Sequence, residues 1–251
     1  MLTRKAFAII GLFLAVLFTG EFNASAQTYS VPKRLLLKGD KTREDFESRT
    51  LIKELFYPIG WSKDGKFAFY VEPPDEACGC YFGHLVIQDL RTDKILWEKK
   101  HEGSEEKEEN LQTVWRQNQK EFSRKLAEYG IVAQKRFVRQ ASAFKYQTDN
   151  LTPKLINNVK FEDGSDLGIS GKFFVQLISK QQGAKTLYER TFDPEKYESF
   201  IDVELSGSLL SPFEPRAAVI LVERRRGWEG PPHVTLVRVV GAALTAGFKA
   251  N

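Results

Sequence analysis

Short apolar runs separated by turn residues recur along most of the chain, and this pattern is typical of β-strands. Two such runs flank the sequence Asp64-Gly65, and an Asp-Gly turn between β-rich runs predicts a hairpin. After a loop, residues 84–90 and 95–98 predict two further strands. Residues 56–98 are therefore predicted to form a four-stranded antiparallel meander of about one propeller blade's length.

One stretch has the hydrophobic period of an α-helix. Between residues 111 and 129, apolar side chains recur at three- and four-residue spacing, and Gly130 follows as a C-terminal cap. This pattern predicts one long amphipathic helix. Residues 98–110 before it are rich in charge and contain no apolar side chain, which indicates a solvated linker or the charged start of the helix.

Strand patterns return after the helix. Residues 136–146 alternate loosely, and the runs 173–178 and 187–192 flank a glycine-containing turn and predict a hairpin. The end of the chain holds three more strand-like runs, at 200–210, 216–223 and 233–240.

The last block repeats the order of features in the first. A serine, a turn, a basic residue, an apolar run ending in glutamate, a glycine-containing loop and a histidine follow one another from Ser62 to His84 and from Ser211 to His233. Each copy has an apolar face that it cannot bury alone, so the two are predicted to pack together or to be bridged by the central region. A chance similarity between two ordinary meanders is the alternative.

These patterns predict an α+β protein that is mainly β, with two propeller-blade-like antiparallel meanders and a central region containing one amphipathic helix. Three tryptophans, Trp61, Trp97 and Trp115, are predicted to lie in the core. The predicted divisions are a signal peptide at 1–26, an N-terminal lead-in at 27–55, the first meander at 56–98, the central helix and hairpin region at 99–199 and the second meander at 200–251.

The first 26 residues have the three parts of a secretory signal peptide. A basic start is followed by an apolar run from Ala6 to Thr19 and by Ala24-Ser25-Ala26, an A-x-A cleavage sequence. An uncleaved anchor helix is the alternative, but the apolar run is shorter than the ~20 residues that span a bilayer. The sequence therefore predicts an exported protein, periplasmic or secreted, with no integral membrane segment after cleavage.

The charge balance and the absence of common enzyme motifs argue against several classes of function. The 251 residues include 37 basic and 33 acidic side chains, a near balance that argues against nucleic-acid binding. The sequence contains no GxSxG, HExxH, GxxxxGK[ST] or GxGxxG motif, and its three histidines leave few general bases. Neither enzymatic activity nor a cofactor is predicted.

The two cysteines, Cys78 and Cys80, are the first candidate site. In an exported protein a thiol pair is expected to form a disulfide, although a CxC bridge needs a kink at Gly79 and would be strained and easily reduced. With His84 the two thiolates are the donors that a zinc or copper site would use, so a metal site is one alternative. A thiol-disulfide exchange site is the other.

A basic and aromatic loop is the second candidate site. Arg224, Arg225, Arg226 and Trp228 lie in a Gly/Pro-rich stretch, and Arg and Trp are enriched in binding hot spots. The loop therefore indicates a protein partner or an anionic glycan. The alternative is that Trp228 packs against the end of a meander while the arginines form a solvated edge that discourages strand pairing.

Two segments carry a family resemblance. Trp61 to Lys66 resembles the serine, aspartate-glycine turn in the repeats of Tol-system β-propellers and WD-repeat-like modules. Together with the sequence from Gly227 to Pro231, it resembles a family of bacterial predicted secreted proteins whose function is uncharacterised. The resemblance implies no catalytic residues. Two blade-like blocks cannot close a ring of ~4 to 8 blades, so a partial propeller, a sandwich or a dimer is expected.

The function predicted from the sequence is that of an exported, non-enzymatic binding or structural module whose partner is a protein or an envelope component. One alternative is a surface or secreted adhesin that binds host or matrix proteins. The other is a thiol-redox or metal-handling protein that works through the loop containing Cys78 and Cys80.

Overall fold

The computed structural model describes residues 29–38, 51–161, 169–196, 198–228 and 230–249. In those ranges the chain forms one helix and fourteen strands, which confirms the predicted α+β, mainly β fold. The elements are β1 (Leu51–Lys53), β2 (Leu55–Trp61), β3 (Lys66–Glu72), β4 (Phe82–Asp89), β5 (Lys94–Glu102), α1 (Leu111–Glu128), β6 (Val132–Ala133), β7 (Phe144–Tyr146), β8 (Asp149–Asn157), β9 (Lys160–Phe161), β10 (Ile169–Ser179), β11 (Gly183–Phe192), β12 (Phe200–Leu210), β13 (Arg216–Arg225) and β14 (His233–Ala243).

The strands form three sheets. The helix sheet has the order β5-β4-β3-β2-β6, the central sheet β1-β14-β13-β12 and the back sheet β11-β10-β8-β7, with β9 pairing with β10. The short strand β1 runs parallel to β14, and all other pairs are antiparallel. Helix α1 packs on the far face of the helix sheet, so the layers follow in the order helix, helix sheet, central sheet, back sheet.

The central sheet is buried on both faces, and the sequence of β13 reflects this. Val219 and Leu221 lie in the core shared with the back sheet, whereas Ala218 and Ile220 lie in the core shared with the helix sheet. A strand with two apolar environments does not alternate between apolar and polar residues. This burial explains the unbroken apolar run from Ala217 to Val222.

Helix α1 confirms the predicted amphipathic helix and its glycine cap. Asn110 and Thr113 form a reciprocal capping box at its start, in which the N–H of Thr113 donates to Asn110 Oδ1 at 3.0 Å. Gly130 follows the helix with a φ of 67°, a conformation that glycine adopts without steric cost. The buried face consists of Leu111, Val114, Trp115, Phe122 and Leu126.

Both predicted meanders are present, and their strands follow the same order. In each, the hairpin is closed by a serine N–H that donates to the carbonyl of the basic residue, from Ser62 to Lys66 and from Ser211 to Arg216, both at 2.9 Å. Strands β2–β4 and β12–β14 pack against each other through one shared core. The two apolar faces therefore bury each other, one of the two arrangements predicted from the repeat.

A segment after the helix, residues 131–140, touches the edges of both meanders and is called the crossing segment below. It pairs with Gly60 and Trp61 through β6, and Gln140 forms an isolated bridge with Ser208 of β12. Strand structure was predicted throughout residues 136–146, and this is wrong: beyond the bridge at Gln140, the chain forms a strand only from Phe144. The crossing segment gains its hydrogen bonds from two different sheets, so it has no continuous strand partner of its own.

Other differences concern strands with weak patterns. Residues 99–102, predicted as a linker, continue β5, because an edge strand accepts the charged side chains that a central strand does not. Strand β8 was not predicted, since Asp149 and Pro153 stand at buried positions where an apolar residue is expected. Near the end of the predicted N-terminal lead-in, residues 51–53 form β1. The predicted signal peptide lies outside the described residues.

Two of the three predicted core tryptophans are fully buried. Trp61 and Trp115 expose at most 2% of their surface, whereas Trp97 is partly buried at the edge of the helix-sheet core. In the described part of the chain, no helix has the length and apolar character that a bilayer crossing needs.

Candidate functional site

The two loops singled out in the sequence lie side by side. Residues 73–81 connect β3 to β4, residues 226–232 connect β13 to β14, and the two connections hold equivalent positions in the two meanders. The carboxylate of Glu76 accepts a hydrogen bond from the backbone N–H of Trp228 at 2.7 Å. We call these two connections the loop pair. Their proximity was not predicted, because the sequence treats them as separate sites 152 residues apart.

The first loop contains a disulfide between Cys78 and Cys80, with a Cα–Cα distance of 5.1 Å. Gly79 between them has a φ of 67°, which is the predicted kink. Asp75 orders the turn, because its carboxylate accepts hydrogen bonds from the N–H groups of Ala77 and Cys78, both at 3.1 Å. Burial would raise the pKa of Asp75, but these backbone donors hold it below its ordinary value.

The proposed third metal ligand, His84, lies in β4 opposite Val71 and Lys100. Burial lowers its pKa, and the charge of Lys100 acts in the same direction. The disulfide sulfurs are not thiolates and cannot act as the predicted ligands in this state. Among the described residues, no three histidine, cysteine, aspartate or glutamate side chains are grouped so that they could hold a metal ion. A metal site in the reduced protein stays a prediction.

The arginines do not form one loop cluster. Strand β13 extends through Arg225, so Arg224 and Arg225 belong to the strand and only Arg226 belongs to the loop. Arg224 pairs with Asp202 at 3.1 Å, and Arg225 pairs with Glu223 at 2.9 Å. Carboxylates of the central sheet therefore neutralise two of the three charges that were predicted to meet a partner.

Trp228 is the most exposed large hydrophobic residue in the described chain, with 91% of its surface accessible. The interpretation that it packs against the end of a meander is therefore wrong. Its backbone is nevertheless held, by Glu76 on one side and by the neighbouring Gly227, whose N–H donates to Nδ1 of His233 at 3.4 Å. The loop presents an indole on an anchored backbone.

A groove of about 380 Å³ lies between the helix sheet and the central sheet, and Pro73, at the start of the first loop, lines it. Its floor is apolar, formed by residues such as Phe69, Val86 and Val239 that are 5–6% exposed. Along one side runs β14, whose edge has no further strand partner among the described residues once β1 ends at Lys53. We call this cavity the interlayer groove.

Three side chains occupy hydrogen-bonding positions on that edge of β14. Glu54 accepts from the N–H of Val237, Gln88 Nε2 donates to the carbonyl of Val239 at 3.0 Å, and Asp93 accepts from the N–H of Gly241 at 2.7 Å. An uncovered strand edge is a template for pairing with another chain. These polar side chains act in place of a neighbouring strand and protect the edge.

Two buried carboxylates near the groove have pKa values that are shifted in opposite directions. Burial raises the pKa of Glu54 to about 7 despite the Val237 N–H and the charge of Arg225. Burial would also raise the pKa of Glu223, but its arginine partners hold it below the ordinary value. Those partners are Arg190 at 2.7 Å, Arg225 at 2.9 Å and Arg238 at 2.9 Å.

Opposed carboxylate pKa values also characterise acid/base pairs in enzymes. Both oxygens of Glu223 are engaged by guanidinium groups, however, and an oxygen of Glu54 is held by a backbone N–H. This arrangement is that of a structural ion-pair network, which perturbs pKa values without catalysis. In the sequence, Glu223 stands out only as the end of an apolar run. A single carboxylate after such a run was the signal that could have identified this ion-pair site.

Comparison with models of protein families, with curated proteins and with solved structures finds no significant match to this chain. The resemblance to secreted proteins and to propeller repeats therefore stays a prediction.

Proposed function

We propose that this protein is an exported, non-enzymatic binding module that docks a protein partner through the loop pair. The observation that carries the proposal is the 2.7 Å hydrogen bond from the N–H of Trp228 to Glu76, which holds the two loops together while the indole is 91% exposed. Tryptophan is among the residues that contribute most to protein–protein interfaces. The signal-like N-terminal sequence supports the export part of the proposal.

The anchored backbone favours binding because the loop pair is already ordered before a partner binds. Asp75 and the disulfide constrain the first loop, and Glu76 transfers that constraint to the second. A ligand-binding surface that is ordered before binding avoids part of the entropic cost of association. An apolar pocket that accepts the indole is the complementary feature expected on the partner.

The test compares two exposed aromatic residues at opposite ends of the same meander. A photo-crosslinking amino acid replaces Trp228 in one variant and Phe213, which is 39% exposed in the β12–β13 turn, in the other. Irradiation of cells that export the protein should give one defined protein adduct from position 228 and none from position 213. The identified partner should bind Trp228→Ala at least ~10-fold more weakly than the wild type, and Phe213→Ala unchanged.

Two results would contradict the proposal. One is an identical adduct pattern from both positions, which would indicate unspecific proximity. The other is an identified partner whose affinity is the same for the wild type and for Trp228→Ala. An adduct with a host or matrix protein, together with digestion of the protein in intact cells by added protease, would favour the adhesin alternative.

Thiol-disulfide exchange is the second candidate function, because the bridge between Cys78 and Cys80 is only partly buried. The charged carboxylate of Asp75 argues against it, since a nearby negative charge disfavours the thiolate that exchange requires. Thiol titration at controlled redox potentials would separate the two candidates. A bridge that stays oxidised at the potential of the native compartment would remove the exchange function.

A further inference from the structure

A groove of about 410 Å³ lies between the extended residues 29–37 and the crossing segment. Its charged lining residues are Lys33, Arg34, Lys135 and Arg136, and no acidic side chain of the described residues lines it. We call it the cationic groove. Lys33, Lys135 and Arg136 are exposed, so the groove is suited to an anionic occupant.

The complementary charge lies in the connection from β5 to α1. Residues 102–109, called the acidic loop here, contain five glutamates and one lysine, which gives a net charge of −4. Glu102, Glu105, Glu106 and Glu108 are exposed. The loop is an ordered feature, because the N–H of Gly103 donates to the carbonyl of Tyr81 at 2.8 Å.

The acidic loop cannot reach the cationic groove of its own molecule. The loop leaves β5, whereas Ile59 of the groove belongs to β2, which is next to β6 at the opposite edge of the helix sheet. Four strand spacings of ~4.8 Å separate the two edges. The two features also flank opposite ends of α1, an 18-residue helix about 27 Å long.

We propose that the acidic loop of one copy binds in the cationic groove of a second copy, so that the molecules associate head to tail. The charges are opposite, because exposed glutamates of the loop, Glu102, Glu105, Glu106 and Glu108, would meet the exposed Lys33, Lys135 and Arg136 of the groove lining. Because each molecule carries both features at separate corners, the contact is heterologous and one molecule can join two neighbours. Exposed charges form this contact, so salt weakens it strongly.

Sedimentation velocity of the purified protein at low and high salt tests the association. At about 20 mM salt the average sedimentation coefficient should rise with protein concentration, and at about 500 mM salt, where screening acts within ~5 Å, the rise should disappear. A groove variant, Lys135→Gln with Arg136→Gln, and a loop variant, Glu105→Gln with Glu106→Gln, should each associate at least ~10-fold more weakly.

Mixing the two variants identifies the occupant. The groove variant retains an intact acidic loop and the loop variant an intact groove, so an equimolar mixture should form a one-to-one complex that neither variant forms alone. The control variant, Arg116→Gln with Lys120→Gln, changes the same charge on the exposed face of α1 and should associate like the wild type.

Each contrary outcome overturns the proposal. A wild type that is monomeric at low salt at all concentrations would exclude the contact. A control variant as weak as the groove variant would show a general charge effect. Variants that weaken association but do not complement each other would show that the groove takes another anion.

Discussion

The two meanders are built alike but are covered by different layers. Strands β2–β4 and β12–β14 share strand order, hairpin closure and a register shift next to a glycine, at Gly60 and Gly207. The far face of the first is covered by α1, and large aromatic residues such as Tyr70 and Trp115 fill that layer. The far face of the last is covered by the back sheet, where Val219 lies in one core with Phe173 and Phe192. One sheet unit therefore accepts either a helix or a sheet as its cover.

A glutamate follows the apolar run of the middle strand in each meander, and it has a different role in the two. Glu72 ends β3 and accepts a hydrogen bond from the hydroxyl of Tyr81 at 3.0 Å, which ties the first loop to the sheet. The equivalent Glu223 is 1% exposed and is surrounded by arginines from β11, β13 and β14. The same sequence position anchors a loop in one meander and joins two sheets in the other.

Removing these two carboxylates should have very different effects. Glu223→Ala leaves three arginines without their shared partner and should lower the free energy of unfolding by about 3–5 kcal/mol. Glu72→Ala removes one hydrogen bond to Tyr81 and should cost about 1 kcal/mol. Urea denaturation at neutral pH measures both values.

The pH dependence checks the cause of the Glu223 effect. Its folded-state pKa lies below the ordinary value of 4.5, so its contribution is complete above pH 4.5 and is lost as the pH falls through the folded-state pKa. The difference between the wild type and Glu223→Ala should therefore shrink in acid. If Glu223→Ala does not fold, Glu223→Gln gives the same comparison, and equal costs at the two glutamates would contradict the contrast between the meanders.

Glu54 should make the protein less stable as the pH rises. Its pKa is raised from 4.5 to about 7, so its contribution is complete below pH 4.5 and is lost as the pH rises through about 7. The whole change corresponds to about 3 kcal/mol. Glu54→Gln cannot titrate but keeps an oxygen that accepts from the N–H of Val237, so its stability should vary less over this pH range.

Denaturation midpoints at pH 5 and pH 8 measure this effect, with Glu195→Gln at an exposed position between β11 and β12 as the control. The control should follow the wild type at both pH values. If Glu54→Gln loses as much stability as the wild type between them, the edge of β14 does not hold a protonated carboxyl group.

The sequence predicted the fold where local chemistry decides it. The Asp64-Gly65 turn, the serine closures and the Gly130 cap depend on neighbouring residues alone, and the predicted elements around them are confirmed. Strand β8 was not predicted because a proline and a buried aspartate interrupt its apolar positions, and β1 because three residues are too few to show a pattern. The unbroken apolar run of β13 is consistent with burial on both faces, but it does not identify the sheet that covers the second face.

The candidate site was predicted only in parts. Cys78, Cys80 and Trp228 stood out by residue type, but the hydrogen bond that unites their loops comes from the packing of two meanders. Arg224 and Arg225 were predicted to lie in a loop, but β13 continues two residues beyond Glu223, and they pair with Asp202 of β12 and with Glu223 of the same strand. Residue type thus indicates the chemistry, and tertiary pairing decides whether it is available to a partner.

The glycines next to the register shifts give the sharpest structural test of the crossing segment. A Cβ at Gly60 would lie 2.2 Å from the carbonyl oxygen of Val132, and one at Gly207 would lie 2.6 Å from that of Gln140. Both alanine variants should lose about 1–3 kcal/mol, because the crossing segment must move or its hydrogen bonds must break.

Gly79→Ala is the control for Gly207→Ala. Both glycines have a positive φ, 67° at Gly79 and 122° at Gly207, but a Cβ at Gly79 would meet no atom within 4 Å. Hydrogen exchange of the Gln140 amide, which donates to Ser208 at 2.8 Å, should accelerate in Gly207→Ala and not in Gly79→Ala. If the control costs as much as Gly207→Ala and the exchange rates agree, backbone conformation alone requires glycine there, and the crossing segment is not held by the two meanders.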